Sequence, residues 1–148
     1  MKRYSVYLIA ALVGLLFMTA TDASAQKKFK KLIVAAEDLK WEQLADAPPG
    51  VMVAQVKGDQ TKGAYIAFTK FPAGFTAPLH YHTHDAKITV IKGGYTYNGK
   101  TYGPGSFLMI PGMDKHTSGG VADSETIFLD EATGKFDLHI VDAPKEQK

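Results

Sequence analysis

From Val51 onward the chain is written as short apolar runs, broken every few residues by glycine, proline or asparagine. Residues 51–56, 64–71 and 87–91 are β-rich runs of strand length, bounded by turn-forming residues. Residues 95–102, YTYNGKTY, predict a hairpin, because both residues of Asn98-Gly99 tolerate the positive φ of a type I′ turn. Gly103-Pro104-Gly105 leads into a further run over 106–110, and Pro111-Gly112 turns the chain again before His116. Residues 125–130 and 136–141 read as two last strands; in the second, Phe136, Leu138 and Ile140 alternate with Asp137, His139 and Val141. No internal repeat of 20–50 residues interrupts this pattern. It predicts an all-β fold, an antiparallel double-sheet jelly-roll barrel with little helix; a β-sandwich of different strand order is the alternative.

The 148 residues suffice for one domain. Ahead of the strands, Lys2 and Arg3 precede an uncharged run over 6–18 and an Ala23-Ser24-Ala25 ending, the three parts of a secretory signal peptide. The apolar run is shorter than the roughly 20 residues that cross a bilayer. The expectation is cleavage after Ala25 and an exported protein, periplasmic or secreted, that is not embedded in a membrane. With no cysteine, export brings neither disulfides nor a lipid-carrying thiol. Loss of Lys2, Arg3 and Asp22 takes the formal charge from +2 to +1, nearly neutral. The cluster Lys27-Lys28-Phe29-Lys30-Lys31 reads as a solvated arm, so no nucleic-acid partner is expected. The chain thus divides into a signal peptide (1–25), an N-terminal arm (26–50) with Trp41 as its packing anchor, a folded domain (51–142) and a tail (143–148).

Candidate chemistry concentrates in LHYHTHDAK, residues 79–87. His80, His82 and His84 occupy every second position, which in an extended strand directs all three imidazoles to one face. Neutral imidazole binds divalent zinc, iron, manganese, nickel or copper, provided that three or four ligands converge at about 2.0–2.2 Å. His116, beyond the turn at Pro111, is the candidate from elsewhere in the chain; a pair of histidines hydrogen-bonded within a barrel mouth is the plainer alternative. Other chemistries lack their residues: there is no cysteine nucleophile, no G-x-S-x-G elbow and no phosphate loop.

These residues resemble the cupins. The first cupin motif, G-x5-H-x-H-x3-4-E-x6-G, is similar to Gly74, His80, His82, Lys87 and Gly94; the second, G-x5-P-x-G-x2-H-x3-N, is similar to Gly105, Pro111, Met113, His116 and Gly120. Three positions depart: Lys87 stands for the glutamate, Met113 for the glycine, with Gly112 as its displaced counterpart, and Gly120 for the asparagine. The stretch from Trp41 to Phe75 also resembles a branch of cupins in which a basic residue stands near the glutamate position. The resemblance implies a β-barrel with His80, His82 and His116 as ligands of a divalent metal ion and open positions for water or substrate. His84 or Asp85 would supply a further contact. Lys87, if it enters the pocket, would be the catalytic group that steadies an anionic substrate; a one-residue slip would turn it outward. The function expected is action on a small organic molecule, or binding and sensing of one without turnover. Exposed sheet edges suit a homodimer.

Overall fold

The computed structural model describes Lys30 to Val141. The signal peptide expected at 1–25 and the tail at 143–148 lie outside the described residues. In chain order the described strands are β1 (Glu42–Gln43), β2 (Met52–Gly58), β3 (Tyr65–Phe71), β4 (Thr76–Tyr81) and β5 (Ala86–Lys92). Then come β6 (Tyr95–Tyr97), β7 (Lys100–Tyr102), β8 (Phe107–Ile110), β9 (His116–Gly120), β10 (Thr126–Ala132) and β11 (His139–Ile140). They form two antiparallel sheets, β1-β2-β3-β10-β5-β8 and β11-β4-β9-β6-β7, the expected double-sheet barrel.

Alternation in the sequence becomes sidedness in the sheets. In β3, Tyr65, Ala67, Thr69 and Phe71 are buried while the residues between them are half-buried, and in β10 Thr126, Phe128 and Asp130 repeat the pattern. The core is aromatic: Phe71 lies 4.9 Å from Phe128, Tyr95 lies 5.0 Å from Phe128, and Val51, Ile88, Val90 and Ile110 close around them. Each such side chain contributes about 1.5–3 kcal/mol by leaving water. The hairpin turns where the sequence requires: Asn98 and Gly99 have φ of 48° and 78°, and Tyr97 pairs directly with Lys100.

The segment expected as an arm is part of the barrel from Glu42 onward. β1 pairs with β2, and Leu44 and Ala47 pack on the core. Trp41 is half-buried, with the Lys70 ammonium 4.4 Å above its ring. The last expected strand, 136–141, shortens to His139–Ile140; Phe136 packs on the His82 ring and Asp137 accepts from the Thr83 N–H, both just beyond the end of β4.

Candidate metal centre

His80 lies in β4 and His116 opens β9, and the two are direct cross-strand partners. His82 follows one residue beyond the end of β4. The imidazole centroids are 4.4 Å (80 to 116), 5.0 Å (80 to 82) and 5.7 Å (82 to 116) apart. His80 and His116 are each 1% exposed, and His82 is half-buried.

Each ring has one nitrogen committed to the backbone. Nδ1 of His80 donates to the carbonyl of Pro78 at 2.7 Å, Nδ1 of His116 to that of Asp114 at 3.0 Å, and Nδ1 of His82 to that of Asp137. A carbonyl only accepts, so Nδ1 carries the proton in all three and Nε2 keeps its lone pair. One nitrogen from each ring lies within 4.8 Å of the others. An equilateral triangle of that size would leave each nitrogen about 0.7 Å beyond a bonding distance of about 2.1 Å, within reach of small ring movements. Burial lowers the pKa of His82 and of His116, which favours the neutral form that a metal requires. Tyr97 stacks on the His116 ring at 4.9 Å and donates its hydroxyl to Asp114, and burial followed by that bond pushes the phenol up to about 12. The arrangement is compatible with metal binding.

The histidines border a cavity of about 700 Å³ between the sheets, walled by Phe71, Phe75, Tyr95, Ile110 and Phe128. Its volume is that of a small-molecule site.

The other expected site residues fall elsewhere. Lys87 is exposed on the outer face of β5, while its neighbours Ala86 and Ile88 line the cavity. Of the two placements the sequence left open for Lys87 this is the outward one, and its catalytic role in the pocket loses its geometry: only Thr83, His84 and Asp85 separate His82 from β5, and with three intervening residues the inward position is Ala86. Asp85 also stands outside the cluster of three; its carboxylate accepts from the Gly112 N–H at 2.7 Å, tying the two motif loops together. His84 lines the cavity but stands outside the cluster of three, its ring packed over the buried Gly134. Nor is Gly112 a displaced glycine. Met113 itself takes the left-handed conformation, φ 67°, while Gly112 lacks a side chain because a Cβ would run into the Thr83 carbonyl.

Some of the supports have a sequence signal. Pro78 and Asp114 each stand two residues before the histidine whose ring they hold, a local relation. Asp137 comes from 55 residues away and leaves no such trace.

The fold and the histidine cluster define a cupin barrel. More narrowly, the profile of the ChrR cupin-like domain matches residues 30–135, and the chain belongs to that family. No curated protein sequence matches the chain. Among solved structures it is similar to an RmlC-like cupin protein from Ralstonia eutropha JMP134, at 24% identity and TM-score 0.62, over 71% of this chain and 69% of that one. It is also similar to the polyketide cyclase RemF from Streptomyces resistomycificus, at 18% identity and TM-score 0.62, over 79% and 89%. A third is a chain of the Rhodobacter sphaeroides complex of SigE with the anti-sigma ChrR, at 21% identity and TM-score 0.54, over 66% and 51%. At these identities the likeness is one of fold.

Proposed function

We propose that this is an exported cupin that holds one divalent metal ion on His80, His82 and His116 and acts on a small, largely apolar organic molecule in the adjoining cavity. The observation that carries the reading is the three Nδ1 bonds to the carbonyls of Pro78, Asp114 and Asp137, which leave three Nε2 lone pairs for one ion. An all-imidazole donor set fits zinc, copper, iron or nickel better than magnesium or calcium. Such an ion supplies Lewis-acid polarisation of a ligand oxygen. The chain's own residues do the rest: Ala86 offers no fourth ligand, which leaves room for a substrate atom, and the aromatic walls exclude water and orient an apolar body. Export rests on the leader pattern of residues 1–25.

Membership of the ChrR cupin-like family supports a second reading, a sensing module that binds the same ion and ligand without turnover. Elemental analysis of protein purified without added metal tests what the two share. The expected result is close to one transition-metal ion per chain, lost in His82→Ala and in His116→Ala. Wild type that is metal-free and cannot be loaded would remove the basis of both. Conversion of any compound by loaded protein selects the enzyme.

A further inference from the structure

The wall of the cavity formed by the six-stranded sheet carries an acidic residue. Asp130 lies on the inward row of β10 with Phe128 and Ala132, between Ala67 of β3 and Ile88 of β5, and is 9% exposed. The Tyr65 hydroxyl donates to its Oδ2 at 2.6 Å, and its Oδ1 has no hydrogen-bond partner among the described residues. Both residues line the same cavity as the histidines, which belong to the other sheet.

We infer that Asp130, oriented by Tyr65, is the second recognition point of this cavity: its unpartnered oxygen accepts a hydrogen bond from a hydroxyl or ammonium group of the bound small molecule. The tie to Tyr65 needs one carboxylate oxygen. The other, desolvated and unmet, is destabilising until a ligand brings it a donor. The influences on its ionisation are burial, then the Tyr65 hydroxyl, then Glu131; no cation is among them, and Ile88, its partner on β5, carries no charge. A donor from the ligand therefore meets a carboxylate whose charge no side chain among the described residues has neutralised, the setting in which a hydrogen bond is strongest. This extends the reading of the cavity as a small-molecule site. It adds to the ligand's description a donor group, placed toward the sheet that lacks the histidines.

The test uses the full chain with ¹³C-carboxyl-labelled aspartate and two matched probes, benzyl alcohol and benzyl methyl ether. The alcohol binds about tenfold more tightly than the ether, because only it can donate to the carboxylate. Its binding also lowers the titration midpoint of Asp130, since a bond to the charged form favours that form, and the ether leaves the midpoint unchanged. A purely structural carboxylate gives neither effect. Asp130→Ala erases the preference between the probes, and Tyr65→Phe, which keeps the shape of the wall, weakens it. Equal affinity for the two probes, binding of neither at millimolar concentration, or an unmoved midpoint would overturn the inference, and all three are read on the wild type without any variant. Metal content measured on the same samples separates this from the proposed function: a chain that takes no metal but prefers the alcohol refutes the metal site and keeps Asp130.

Discussion

Met113 shows what a single backbone angle costs. It holds φ 67°, where a side chain crowds the following carbonyl, while its N–H donates to the His82 carbonyl at 2.8 Å and its side chain is 59% exposed. Met113→Gly removes the crowding and little packing, so it should stabilise the fold by about 1 kcal/mol, less the entropy a glycine loses on folding. Urea unfolding at constant slope measures it. Asp130 sets a pH dependence of opposite sense to that of a paired surface carboxylate. Burial raises it from 3.8 to about 6. Between those values the folded chain retains a proton that the unfolded chain has released. Its contribution to stability is present below about pH 4 and lost as pH rises through about 6, on the order of 3 kcal/mol. Asp130→Asn should therefore unfold at higher urea than wild type above pH 6 and lose that part of the slope. Stability that rises with pH equally in both chains would contradict a buried, raised carboxyl.

Among the elements, the β4–β5 connection decides the chemistry of the site. Three residues separate His82 from Ala86, and the pleat then turns 86 inward and 87 outward. Ala86→Glu should add a fourth ligand and tighten metal binding, whereas Lys87→Glu should leave it unchanged; competition titration with a chelator compares them. A stronger effect at 87 would mean that the strand is slipped by one residue. This is also where the sequence was hardest to read. The motif tolerates three or four residues in that loop, and a single residue exchanges the faces of a strand. The Asn98-Gly99 hairpin was legible because two adjacent residues determine its turn. The pairing of β1 and the shortening of β11 were not, since both depend on what the rest of the barrel offers them.

For the whole molecule, the barrel was legible from strand lengths and turn residues, and His80, His82 and His116 from two motifs in order along the chain. Asp130 was not. Its partner Tyr65 is 65 residues away, and β10 carries apolar side chains on both faces, Phe128 on one and Ile127 and Leu129 on the other, so alternation alone does not say which face is inside. The two sheets then bring together what the sequence keeps apart: an imidazole cluster from β4 and β9, and a carboxylate from β10, around one cavity. The account stands or falls on the three imidazoles sharing an ion. Because burial lowers the pKa of His82 and His116, protons compete for these two ligands only below the ordinary imidazole value of 6.5, so the decisive measurement belongs above it. That measurement is anomalous diffraction at the metal edge, from crystals of loaded protein at about pH 7.5. The account predicts one peak about 2.0–2.2 Å from Nε2 of His80, His82 and His116. Peaks confined to other residues, or an ion bound through Nδ1 with the carbonyl bonds broken, would contradict it.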